Sequence, residues 1–149
     1  MELLDTVDTV LSQKNGAIWS ISPSATVFDA LVLMAEKEIG SLLVMSDGRL
    51  VGIISERDYA RKIALMGRSS KETTVAEVMA HEPVTVTRRA TVSACMELMT
   101  DRRRRHLPVV DDNRVIGVLS IGDLVNWIVK SQEKTIQQLH HYIAGAYPA

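Results

Sequence analysis

Shifted by 65 residues, the chain lies over itself without a gap, and this internal match restricts the fold more than any other feature of its 149 residues. Ala25-Thr26-Val27 falls on Ala90-Thr91-Val92, Leu33-Met34 on Leu98-Met99, and Leu42 and Val44 on Leu107 and Val109. Asp47, Arg49, Gly52, Ser55, Asp58 and Ile63 fall on Asp112, Arg114, Gly117, Ser120, Asp123 and Ile128. Unbroken register through a turn residue, a glycine and a Ser/Asp pair marks two copies of one supersecondary unit. A unit with one sheet face and one helix layer is too small to bury enough surface by itself, so the two copies must pack together.

Within the first copy, Ile18 to Ile21 reads as a strand and Ser22-Pro23-Ser24 as a turn. Thr26 opens a helix with Val27, Ala30, Leu31, Met34 and Ala35 on one face, closed by Gly40. Leu42 to Met45 is a second strand, Asp47-Gly48 a hairpin turn, and Leu50 to Ile54 a third strand that hands over to a helix after Ser55. The chain therefore divides into an N-terminal helix (1–17), a first repeat (18–66), a polar connection (67–82), a second repeat (83–129) and a C-terminal helix or tail (130–149). The lead-in carries Leu3, Leu4, Val7, Val10 and Leu11 at helical spacing, and the tail carries Ile136, Leu139 and Ile143. Apolar stripes at both ends suit a homodimer, or packing within the chain.

A net charge of -1 supplies no global field to gather nucleic acid or an anionic membrane, so any anion selectivity must be local. Cys95 is alone, which excludes an internal disulfide and argues against a structural zinc site; it reads as a small core residue. No segment approaches the roughly 20 apolar residues that cross a bilayer, and nothing resembles a signal peptide. A soluble, cytosolic protein is expected.

Local chemistry concentrates after the third strand. Ser55 stands where a helix N-cap belongs, Asp58 sits at the third helical position near the free backbone amides, and Arg57 and Arg61 lie four apart on one helix face. A carboxylate can accept both hydroxyls of a ribose, and an arginine fork matches phosphate oxygens in pairs. The same residues could equally serve as a cap, a charge suited to the helix end and a solvated surface.

With the segments Gly52-Ile-Ile-Ser-Glu-Arg-Asp58, Arg105-His-Leu-Pro-Val-Val110 and Gly117-Val-Leu-Ser-Ile-Gly-Asp123, the repeat resembles a tandem pair of CBS (cystathionine β-synthase) domains, a Bateman module, of the stand-alone type. The resemblance covers about residues 18 to 129. It implies an α+β fold of two pseudo-symmetric β-α-β-β-α repeats packed sheet to sheet, with short N- and C-terminal helices. It further implies a non-catalytic regulatory module that senses an adenine nucleotide, AMP, ADP, ATP or NAD(H), between the repeats, with no metal required, and signals to an effector protein. Carried over, the principal cleft would use Ser55, Arg57, Asp58 and Arg61, with Val84 and Thr85 beside the base and Arg105, His106 and Pro108 crossing over. A second cleft would use Ser120 and Asp123 with Trp19 and Ser20.

The copies differ where a phosphate would sit. Gly122 stands opposite Arg57, Asn126 opposite Arg61, and Gly40 and Ser41 opposite Arg105 and His106. The Asp58 cleft is thus expected to be the phosphate site, and the Asp123 cleft weak, empty or suited to an uncharged group. Two other readings compete. Arg102 to His106 could hold a nucleic-acid backbone, but no aromatic residue adjoins it in sequence. The repeats could also be an assembly scaffold with unused clefts. Catalysis is disfavoured, because neither metal-ligand spacing nor a nucleophile elbow is present.

Overall fold

The computed structural model describes residues 4–14 and 16–146. Leu3, Asn15 and residues 147–149 therefore lie outside the described residues, and with them the first member of the lead-in stripe and the end of the tail.

Each repeat builds a small sheet backed by helices. In the first, β1 (Ser20–Ile21) runs parallel to β2 (Ser41–Ser46), which pairs antiparallel with β3 (Arg49–Ser55). The hairpin turns at Asp47 and Gly48, both at positive φ, the geometry a two-residue turn between twisted strands requires. In the second, β5 (His106–Asp111) pairs antiparallel with β6 (Arg114–Ser120), and Val86 bridges Val109 in parallel, the counterpart of Ile21 beside Val44. The hairpin here turns on Asp112 and Asn113, again at positive φ. Thr26 and Thr91 cap α2 (Val27–Lys37) and α5 (Val92–Arg102) by accepting the amides of Asp29 and Ala94. Both helices end on a left-handed residue, Glu38 and Arg103.

The helices that complete each core are exchanged. α4 (Val75–Val78), in the polar connection, closes the first core: Val75 N donates to Ala25 O at 2.8 Å and Val27 N to Thr73 O at 2.9 Å. α1 (Val7–Ser12), ahead of the first repeat, instead closes the second: Val7 N donates to Ala90 O and Val92 N to Asp5 O, both at 2.8 Å. Val75, Val78 and Met79 accordingly join the core of Val27, Met34, Leu42 and Ile54, while Val7 and Val10 join that of Val92, Cys95, Leu107 and Leu119. Within 67–82, read from the sequence as a connection, α4 thus packs on the first core, and β4 (Ala80–His81) adds to the edge of β3. Burial raises the Cys95 thiol pKa, as befits a core residue.

Leu42, Val44 and Ile54 face the helices, so by strand alternation Leu43 and its partner Ile53 face the other way. Both are nevertheless buried, as is Pro108, the counterpart of Leu43. The face each sheet turns from its helices is covered, which is the sheet-to-sheet arrangement of the α+β reading. Helix α3 (Glu56–Tyr59) continues through Ala60–Ala64 as a π turn. The short C-terminal helix expected over 130–149 is not a separate element: α6 runs unbroken from Ile121 to Ala146. No Gly or Pro interrupts residues 123 to 144, so nothing stops the helix at Val129.

Candidate functional site

Strand β3 ends at Ser55, and the turn into α3 is held by a reciprocal cap. Asp58 N donates to Ser55 Oγ at 3.3 Å, while Asp58 Oδ2 accepts from Ser55 N at 2.9 Å and from Ser55 Oγ at 3.1 Å. Lys62 Nζ lies 3.6 Å from the other oxygen, Oδ1, and donates to Val78 O at 2.8 Å. Asp58 is therefore a structural cap, yet its Oδ1 retains acceptor capacity.

Around this cap lies a cleft of about 290 Å³. The first repeat contributes Gly40, Ile53, Ser55, Glu56, Arg57, Asp58 and Arg61, strand β4 contributes Ala80, and the second repeat contributes Arg103, Arg104, Arg105 and His106. The sequence-predicted Ser55, Arg57, Asp58, Arg61, Arg105 and His106 are thus brought together from both repeats. Arg61 and then Arg105 press the Arg57 pKa below its ordinary value, because like charges crowd there, and Asp58 offsets this only in part. Arg103 and Arg104 were missed as cleft residues. The run Arg102 to His106 was their signal, and the left-handed turn at Arg103 is what brings it over the cleft after α5. Arg104 Nε is buried with no hydrogen-bond partner among the described residues.

Val84, Thr85 and Pro108 do not line this cleft. Val86 N donates to Pro108 O and Val110 N to Val86 O, so this segment is an edge strand of the second sheet. Val84 is taken up by the second core, Thr85 is exposed, and Pro108 lies on the buried sheet face.

At the equivalent carboxylate the cap recurs, with Ser120 N donating to Asp123 Oδ2 at 2.8 Å and Asp123 N to Ser120 Oγ at 3.0 Å. The surroundings differ from expectation. Lys14, just past α1, places Nζ 2.7 Å from Asp123 Oδ2 and 2.6 Å from Val118 O. A site read from the sequence as stripped of cations holds an ammonium supplied from outside the repeat. Burial pushes the Asp123 pKa up, but the hydrogen bonds from Lys14 and Ser120 outweigh it and leave the carboxyl below its usual range. Asp123 opens onto a groove between α1 and α6 that Trp19 and Ser20 do not line. Ser20 is paired with Leu43 in the first sheet, and the Trp19 ring lies under Lys37 Nζ at 4.2 Å.

His106 begins β5 opposite Ser120 and is partly buried between the two carboxylate sites. Burial and the Lys14 ammonium push its pKa down, Asp123 pulls it up and Arg105 adds a smaller downward push, leaving it below the ordinary value. Near neutral pH it is an uncharged donor and acceptor. Among the described residues, no group of three or more His, Cys, Asp or Glu side chains is placed to hold a metal, and no helix is long and apolar enough to cross a membrane.

The family model described as CBS domain matches residues 16–65 and 75–130. The CBS domain-containing protein CBSX3, mitochondrial, of Arabidopsis thaliana is 46% identical over 127 residues, 82% of this chain and 62% of the relative, so the chain spans less than two thirds of that protein. A solved candidate signal-transduction protein with CBS domains from Burkholderia ambifaria MC40-6 is similar at 45% identity and a TM-score of 0.82, over 85% of this chain and 96% of the other. CBSX2, solved in complex with AMP, is similar at 27% identity and a TM-score of 0.70, over 86% and 98%.

Proposed function

The chain belongs to the CBS-domain family, and from that membership we propose a regulatory, non-catalytic module that binds an adenine nucleotide in the Asp58 cleft and signals to a partner protein. The observation that carries the reading is the convergence of Arg57 and Arg61 from one repeat with Arg104 and Arg105 from the other on a single cleft. Among the described residues none of these guanidinium groups pairs with a carboxylate. Such a cluster is complementary to a phosphate, which arginine forks bind in pairs. Asp58 Oδ1, not used by the cap, is the acceptor for ribose hydroxyls. Adenine is favoured by CBSX2, which carries AMP.

Because the cleft draws on both repeats, a ligand there bridges them, and the reading takes the signal to be a change in their relative angle or in the geometry of a homodimer. Thermal shift and calorimetry with adenosine, AMP, ATP, NAD and NADH test the binding. A nucleotide at a hundred times its dissociation constant adds about 2.7 kcal/mol of stability. Arg57→Ala and Arg105→Ala should each remove most of that gain while leaving the unliganded melting temperature near the wild-type value. An unchanged melting temperature with every nucleotide would leave an assembly scaffold as the better account.

A further inference from the structure

Lys14 comes from ahead of the first repeat, yet its Nζ is bound twice by the second, donating to Asp123 Oδ2 at 2.7 Å and to Val118 O at 2.6 Å. The correspondence of the exchanged helices shows what it replaces. Thr6 bridges Thr91 as Thr74 bridges Thr26, and Leu11 stands over Gly117 as Met79 stands over Gly52, which sets Lys14 opposite Glu82. After α4 the chain turns extended at Met79 and runs into β4, whose Ala80 pairs with Ile53 and lines the Asp58 cleft. After α1 the chain stays helical at Gln13, and the second sheet has no counterpart of β4 among the described residues. The carbonyl of Val118, the register counterpart of Ile53, is taken by the Lys14 ammonium instead.

The same ammonium neutralises Asp123 at contact distance, whereas a carboxylate that accepts ligand hydroxyls has to be open to them. At Asp58 the neighbouring cation is less intrusive: Lys62 Nζ stays 3.6 Å from Oδ1 and donates to Val78 O. The Asp58 cleft draws on both repeats, but the groove at Asp123 is lined by residues within 5–14 and 123–138, none of them from the first repeat. Helix α1 is itself fixed. Trp127 Nε1 donates to Asp5 Oδ2 at 2.9 Å, Arg88 Nη1 pairs with Asp8 at 3.0 Å, and Val7 and Val10 are buried in the second core. We propose that Lys14 is a built-in plug, its ammonium standing in for a ligand at Asp123, so that the two repeats take one nucleotide and not two. The inference rests on the nucleotide reading above and adds to it the residue that sets how many ligands bind.

The test is calorimetry with AMP and with adenosine at pH 8, where His106 is uncharged, together with amide NMR to locate each ligand. The wild-type chain should take one equivalent of either compound, moving the amides of Ser55 and Asp58 and not those of Ser120 and Asp123. Lys14→Met and Lys14→Gln should each take a second equivalent that moves Ser120 and Asp123, and adding Asp123→Asn should remove it again. Affinity at the Asp58 cleft should change by less than threefold, since Lys14 does not line it. Two equivalents on the wild-type chain, with Ser120 and Asp123 moving, would overturn the plug, and this count stands even if a variant fails to fold. A folded Lys14→Met that still takes one equivalent, or a second equivalent that survives Asp123→Asn, would overturn it too and leave the nucleotide reading standing. Binding of neither compound to any of these proteins would overturn both.

Discussion

Asp58 and Asp123 occupy equivalent positions and make the same cap, but the cation beside each has a different origin. For Asp58 it is Lys62, one turn along the same helix and 3.6 Å away; for Asp123 it is Lys14, brought in by α1 and in contact at 2.7 Å. Both carboxylates hold a helix start, so replacing either by alanine should lower stability by about 1 kcal/mol in chemical denaturation. Only Asp58→Ala should also abolish nucleotide binding in calorimetry; equal loss of binding in Asp123→Ala would contradict the asymmetry. His106 gives a pH dependence. Its folded pKa lies below the unfolded value of 6.5, so the unfolded chain binds the proton first. Stability from this residue is full above about pH 6.5 and is lost as pH falls through the folded pKa. His106→Gln should flatten that part of the pH profile of the melting temperature, and an unchanged slope would rule His106 out as its source. The cap and the arginines on α3 were legible because both ends of each interaction lie within a few residues. Lys14 was not, because its acceptor is 109 positions away.

At the scale of elements, Gly52 and Gly117 mark the same point of the two repeats, and each makes room for a segment from elsewhere. A Cβ on Gly52 would stand 2.6 Å from Met79 Sδ and 2.9 Å from the Ala80 carbonyl oxygen, which is backbone and cannot swing aside. A Cβ on Gly117 would meet Leu11 Cδ2 at 2.9 Å, the end of a flexible side chain. Gly52→Ala should therefore destabilise by about 1–3 kcal/mol, the usual range for overpacking, and Gly117→Ala by less. Urea denaturation of the pair decides it, and an equal or reversed order would show that β4 yields as readily as Leu11. The same contacts explain what the sequence did not disclose. The offset of 65 exposed the repeat, its hairpins and its helices, since periodicity and turn chemistry are local. It could not show that α4 closes the first core and α1 the second, because an apolar stripe states which face is covered and not by what. Nor does any local signal show that α6 runs on past Val129, where the second repeat was read to end.

For the molecule as a whole, that continuation is the feature with most consequence for assembly. Beyond Ser131, residues 132 to 141 of α6 are all exposed, so the distal half of the helix gains little from its own chain. An isolated helical stretch of this length is marginal in water. Yet Val125, Val129, Ile136, Leu139 and Ile143 form one apolar stripe, each 46–56% exposed. Their spacing is that of a heptad with Val129, Ile136 and Ile143 at the a positions and Val125, Gln132 and Leu139 at d. β-branched residues at a, with leucine among the d residues, favour two strands, and a single polar residue in the seam fixes register. The occupant this pattern fits is α6 of a second copy. The expected outcome is a dimer by light scattering that becomes monomeric in the Ile136→Glu, Leu139→Glu double variant, with a loss of helical circular dichroism from the distal turns. Nucleotide binding at the Asp58 cleft should survive in that variant, because neither residue lines the cleft. A wild-type monomer that keeps the full helical signal would show that the stripe needs no partner, and would remove the homodimer from the proposed signalling route.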